Sequence, residues 1–148
     1  MNGELIDLLR RVSSGFRACL QDRIAAGGSG LTSFQARLVN AVGRKEGVSQ
    51  LELGAFLERD KAQIARAVKE LEARGLLTRS AHESDWRTKS VALTQEGREV
   101  HARLIEVRRE LAAEAFGGLT EVEKHALRAG LVKIDAALQK DLSGKTSS

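Results

Sequence analysis

Residues 49–75 read SQLELGAFLERDKAQIARAVKELEARG. Two helix starts lie inside this stretch. Ser49 is followed three residues later by Glu52, and Asp60 by Gln63. That spacing lets a side-chain oxygen cap the N–H three positions on while the Glu or Gln reaches back. Leu51, Leu53, Phe56 and Leu57 are the apolar residues of the first helix. Ile64, Val68 and Leu71 recur at helical spacing in the second. Gly75 stands where a helix commonly stops in a left-handed cap. Two short capped helices in succession make a candidate helix-turn-helix.

The flanks extend the pattern. Upstream, Thr32 and Gln35 repeat the capping pair before Leu38, Val39 and Val42. Further upstream, Leu5, Leu8, Leu9, Val12, Phe16, Leu20 and Ile24 form one amphipathic stripe, ended by Gly27-Gly28-Ser29-Gly30. Downstream, Leu76–Ser80 and Lys89–Leu93 read as short strands around a polar loop, a β-hairpin. Thr94 opens a helix carrying Val100, Leu104, Val107, Leu111 and Ala115, which Gly117-Gly118 breaks. Thr120 and Glu123 open the last helix, with Leu127, Leu131, Ile134 and Leu138. The expected fold is mainly α with a small β-hairpin: a winged helix-turn-helix with long N- and C-terminal dimerisation helices. One domain spans residues 1–148, with the winged helix-turn-helix over 31–94 and the dimerisation helices over 1–30 and 95–142. The terminal apolar stripes are larger than one small domain needs, which favours packing against a second copy.

Composition narrows the function. The 148 residues are 42% hydrophobic and 30% charged, enough to bury a core without disulfides or metal. No apolar run is long enough to span a membrane, and Glu4 and Asp7 interrupt the early apolar stretch, so neither a membrane span nor a signal peptide is expected. The single cysteine, Cys19, excludes an internal disulfide framework and suits a reducing cytoplasm. A net charge of +4 is compatible with a polyanionic partner such as double-stranded DNA.

In the helix opened by Asp60, the inward stripe leaves Lys61, Gln63, Arg66 and Lys69 on the remaining faces. A major groove admits one helix, and these side chains donate to base edges or phosphates. The plainer alternative is a solvated charged face, which Glu70 and Glu72 favour because carboxylates repel phosphate. The hairpin loop holds His82, Glu83, Ser84, Asp85, Trp86 and Arg87, with Arg79 and Lys89 on its flanks. A wing needs a cation at its tip to enter a minor groove or pin a phosphate, and Arg87 is the candidate. Asp85 is placed to hold the loop's shape by pairing with an arginine. Trp86 either stands at the tip or folds back on the hairpin.

Residues 49–75, followed by Asp85-Trp86-Arg87, Val91-Ala92-Leu93-Thr94 and Gly97, resemble the helix-turn-helix and wing of the multiple-antibiotic-resistance regulator (MarR) family. The likeness runs without a gap from about residue 31 to residue 97, and the flanking helices agree in number and order. It implies a homodimeric winged-helix transcription factor, with a repressor the expected form. Ala62, Gln63, Arg66 and Arg87 then fall where the family touches DNA, and the first, fifth and sixth helices form the dimer interface. It also implies a small effector, often aromatic or phenolic, bound between the dimer and DNA-binding parts. Three positions depart from the family pattern: Trp86 replaces the first of a basic pair, Ala62 and Gln63 replace small hydroxyl residues, and Glu58 occupies a turn position where Gly is common.

Rival chemistry is weaker. Cys19 offers a thiol-based redox sensor on the first helix, against a small packing residue beside the apolar stripe. His82, His101 and His125 are isolated, with no paired metal-ligand spacing. Gly144-Lys145-Thr146 mimics the end of a phosphate-binding loop, but Gln139 stands where the first glycine is required. No nucleophile or paired-carboxylate arrangement stands out, so neither an enzyme nor a cofactor is expected. A winged helix used as a protein-interaction module is the second function class, favoured by Glu70 and Trp86.

Overall fold

Local chemistry sets the boundaries of each element in the computed structural model, which describes residues 1–81 and 89–145. Helix α1 covers Asn2–Ala26 and α2 covers Ser33–Arg44. Thr32 caps α2 with a complete capping box: its Oγ1 accepts from the Gln35 N–H at 3.1 Å, and Gln35 Oε1 accepts from the Thr32 N–H at 3.0 Å. Strand β1 is the dipeptide Val48–Ser49, and α3 covers Gln50–Leu57. The recognition candidate α4 covers Lys61–Ala73. Strands β2 (Leu77–Ala81) and β3 (Lys89–Leu93) follow, then α5 (Gln95–Phe116) and α6 (Glu121–Lys145).

The helix order and all four capping pairs agree with the sequence reading, with two refinements. Ser49 caps α3 through the Glu52 N–H at 3.0 Å, but the Glu52 carboxylate turns to Lys45 Nζ at 2.5 Å instead of closing the box. The sheet has three strands and not two. β1 pairs antiparallel with β3, Val48 opposite Val91 and Ser49 opposite Ser90, so the order is β1-β3-β2. Leu77 faces Leu93 and Arg79 faces Val91 across the hairpin. The result is a mainly helical winged helix-turn-helix with a small antiparallel sheet.

The chain divides into two compact units, Met1–Arg109 and Glu110–Ser148. In the first, Leu38, Val39 and Val42 of α2 are buried with Val48, Leu53 of α3, Ile64, Val68 and Leu71 of α4, Leu77 and Val91. Val100 and Leu104 of α5 join the same cluster. Each such side chain contributes about 1.5–3 kcal/mol by leaving water. α1 buries no residue, and Leu5, Ile6, Leu8 and Val12 stand exposed along it. In the second unit α6 likewise buries none, and Leu127, Leu131, Ile134 and Leu138 are exposed.

Two tight joints hold the helix-turn-helix in place. The Arg74 guanidinium, just past α4, donates to the carbonyl oxygens of Gly30 and Ser29 and so anchors the loop between α1 and α2. Thr94 Oγ1 donates to the Gly75 carbonyl at 2.6 Å and accepts from the Gly97 N–H at 3.0 Å. This clamps the end of β3 onto the turn after α4. Gly97 itself is obligatory there: a Cβ would lie 2.1 Å from the Leu76 carbonyl oxygen.

The turn between α3 and α4 contains the one strained residue among those described. Glu58 has φ 52° and ψ 47°, the left-handed region, without being glycine. Replacing Glu58 with Gly is expected to raise unfolding free energy by up to about 1 kcal/mol, whereas Gly97→Ala should lower it by about 1–3 kcal/mol through overpacking. Urea denaturation of both variants checks this; a Glu58→Gly protein no more stable than wild type would contradict the strain.

Candidate nucleic-acid interface

The burial of α4 sorts its side chains cleanly. Ile64, Ala67, Val68 and Leu71 are buried, while Lys61, Ala62, Gln63, Arg66 and Lys69 are exposed. All five α4 residues expected to face DNA therefore share the solvent side. Asp85 and Arg87, with His82 and Trp86, lie outside the described residues. Lys89 begins β3 and is exposed.

Asp60 builds the start of α4. Its Oδ1 accepts from the Gln63 N–H at 2.8 Å, and Gln63 Oε1 accepts from the Asp60 N–H at 3.2 Å. The capping box thus takes up the oxygen of Gln63 and leaves its Nε2 group as donor. A donor there suits acceptor edges of bases or phosphate oxygens.

Of the two carboxylates that argued against a DNA-facing role, Glu72 is paired with a cation, while Glu70 lines the same hollow as Gln63 and Arg66. Glu72 takes a two-point hydrogen bond from Arg79 of β2, Nε at 3.2 Å and Nη2 at 3.0 Å. That bond, aided by the charges of Arg79 and Lys89, holds the Glu72 carboxyl below the usual carboxylate range. Glu70 accepts from Gln35 Nε2 at 3.2 Å, so α2 holds it. The Arg66–Glu70 ion pair that their four-residue spacing offers is not formed, and Arg66 has no acidic partner among the described residues.

Two hollows flank the α4 start. The larger, about 680 Å³, is ringed by Arg59, Lys61, Arg79 and Lys89 over a floor that includes Leu51, Ala55 and Ala65. The smaller, about 300 Å³, lies toward α2 and is lined by Gln35, Arg59, Gln63, Arg66 and the carboxylate of Glu70, among others. Arg59 belongs to both, its guanidinium carbon 5.2 Å from the centre of the Phe34 ring. Cations set around concave, partly apolar walls suit the sugar-phosphate backbone on either side of an inserted helix.

Sequence reasoning passed over Arg59, gave Gln35 no role beyond the capping pair, and gave Arg79 none beyond flanking the loop. Arg59 directly precedes the Asp60 cap, which was the available signal. Arg79 and Gln35 act through partners on other elements, which local pattern does not reveal. Cys19 is exposed on α1, so within the chain it is not the small buried packing residue that its position beside the stripe suggested. No three His, Cys, Asp or Glu among the described residues are grouped as a metal site.

Comparison with known proteins places this geometry. The model of the MarR family matches residues 29–87. The transcriptional regulator BilQ of Clostridium symbiosum is 32% identical over 93 residues, 63% of this chain and 65% of BilQ. A MarR-family regulator from Silicibacter pomeroyi has 29% identity and a TM-score of 0.74, over 92% of this chain and 90% of that one. Residues 29–87 of the chain belong to the MarR family. The chain's fold is one that transcriptional regulators of this family use, and the family is one of regulators rather than enzymes. The chain spans just under two thirds of the length of BilQ. BpsR of Bordetella bronchiseptica, whose DNA binding is regulated by 6-hydroxynicotinic acid, has 27% identity and a TM-score of 0.73, over 89% of this chain and 98% of that one. Among the described residues no helix is long and apolar enough to cross a membrane.

The cap and the Glu72–Arg79 bridge make separable expectations. Asp60→Ala should cost about 1 kcal/mol of stability, read by urea denaturation; no loss would mean that the cap does not hold the start of α4. Because the Glu72 carboxyl is held low, the bridge is complete above the ordinary carboxylate pKa and is lost as pH falls through the lowered value. Carboxyl NMR titration should therefore place Glu72 below the ordinary glutamate value, and Arg79→Gln should raise it toward that value.

Proposed function

We propose that this MarR-family chain is a homodimeric, ligand-responsive repressor that binds a pseudo-palindromic operator. The observation that carries the proposal is the sorting of α4: a buried apolar face opposite Lys61, Gln63, Arg66 and Lys69, with cation-lined hollows on both flanks. In this reading α4 enters the major groove. Arg66 and the Gln63 amide reach base edges, Ala62 offers a methyl contact, and Lys61 and Lys69 meet phosphates. Arg87 contacts a narrow minor groove or a phosphate from the hairpin, Asp85 shapes that loop, and Lys89 supports its base. The role places the protein with the chromosome, in the cytoplasm.

Exposed apolar faces on α1 and α6 support a second copy as partner, since contiguous apolar surface of this kind marks interfaces. Two copies place two recognition helices on half-sites roughly 34 Å apart. Regulation of BpsR by 6-hydroxynicotinic acid supports a small aromatic acid as effector here, acting by changing the separation of the two recognition helices.

The wild type is expected to sediment as a dimer at micromolar concentration, and the double variant Leu131→Asp, Leu138→Asp as monomer or aggregate. A stable wild-type monomer would overturn the dimer.

DNA affinity is expected to fall steeply with salt. On the preferred site Arg66→Ala should cost about 1–3 kcal/mol and relax one base position per half-site, whereas Arg87→Ala should weaken all sequences alike and lower the salt slope by about one per subunit. Fluorescence anisotropy on the DNA upstream of the chain's own gene measures both, after circular dichroism has shown intact folding. A flat salt response, or two variants that bind like wild type, would replace this reading with the protein-interaction module.

A further inference from the structure

α2 and α5 meet at a contact that the DNA-facing surface leaves unused. The His101 ring of α5, half-buried, lies directly over Gly43 of α2. A Cβ built on Gly43 would fall 2.5 Å from Nε2 and 2.6 Å from both Cδ2 and Cε1. Only glycine leaves room for the ring. On its other side Nδ1 lies 3.0 Å from Asn40 Oδ1. A carbonyl oxygen can only accept, so Nδ1 carries the hydrogen and the neutral ring keeps its lone pair at Nε2.

The hollow beside this ring, about 250 Å³, is walled by Asn40 and Arg44 of α2 and by His101, Leu104, Ile105 and Arg108 of α5. Among the described residues the charged groups facing His101 are therefore Arg44 from α2 and Arg108 from α5, and none that lines the space is a carboxylate. The contact serves no purpose in the DNA-facing surface, yet it joins two helices of one core: Leu38, Val39 and Val42 of α2 and Leu104 of α5 all belong to it.

We propose that His101 is a proton-operated joint between α2 and α5: acidification charges the ring, unseats it from Gly43 and weakens DNA binding. The proposal rests on the regulator reading above. Protonation adds a hydrogen at Nε2, the ring atom nearest a Cβ built on Gly43, where no side chain among the described residues is placed to accept it. It also sets a third positive charge beside Arg44 and Arg108. Burial first, and the Arg44 charge second, hold the imidazole below its ordinary value. The sign follows. The neutral, seated form is complete above the ordinary pKa of about 6.5, and the stability it contributes is lost as pH falls from there through the lowered value. Displacing the ring shifts α2 against α5, and α2 shares its core with α3 and α4.

The test uses the full chain. Imidazole NMR shifts of His101 and anisotropy binding to the DNA upstream of its own gene are followed from about pH 5 to about pH 8. His101 is expected to titrate below the ordinary imidazole value, with amide shifts in residues 40–44 moving together with the ring. DNA affinity should fall on the acid side, by about tenfold for each pKa unit separating free and DNA-bound protein. His101→Gln should flatten that acid loss. Arg44→Gln should raise the His101 pKa and move the binding midpoint upward with it, and it provides the decision if His101→Gln misfolds. Titration of His101 at or above the ordinary imidazole value, or a binding profile unmoved by Arg44→Gln, would overturn the joint. Failure to bind DNA at any pH would count against the regulator reading, and the titration with the amide shifts would then decide the joint alone.

Discussion

The arrangement depends on the burial of one face of α4. Ile64, Val68 and Leu71 are fully enclosed, and a helix that commits those positions inward has no freedom in which side chains it presents outward. Lys61, Gln63, Arg66 and Lys69 face solvent because the apolar stripe is fixed and the helical repeat does the rest. The same burial holds the helix against α2, α3 and the sheet. The cationic face is thus mounted on a rigid core, which keeps small the entropy lost when it meets a phosphate lattice.

Electrostatic tuning is built on that scaffold. A recognition surface that carries Glu70 and Glu72 would repel DNA if both carboxylates stood free. Glu72 is instead bound at two points by Arg79, which also ties α4 to the base of the hairpin, and Glu70 is turned toward Gln35. Arg59, leaning on Phe34, extends the positive surface from the α4 start toward α2. Each of these contacts joins two different elements. The proposed interface is therefore a product of the tertiary fold as much as of the basic residues in α4.

Much of this was legible in the sequence. Capping pairs at Thr32, Ser49, Asp60 and Thr120 mark helix starts because the spacing of three is a backbone-geometry requirement, and the α4 stripe fixes the exposed residues by the same logic. Strand β1 was missed because two residues, Val48 and Ser49, show no alternation, and Ser49 doubles as the α3 cap. The left-handed turn at Glu58 had a signal only in the departure from glycine. Arg79 with Glu72, and His101 with Asn40, were beyond reach: the second pair is 61 residues apart, and nothing local announces which distant side chain a polar group will find.

The central claim is that two copies of α4 engage one duplex. Native mass spectrometry of the full chain, mixed with a duplex covering the region upstream of its gene, tests this directly. The expected complex has two chains per duplex and no appreciable one-chain species, and hydroxyl-radical footprints on the same DNA show two protected patches about one helical turn apart. One chain per duplex, or a single protected patch, would contradict the account.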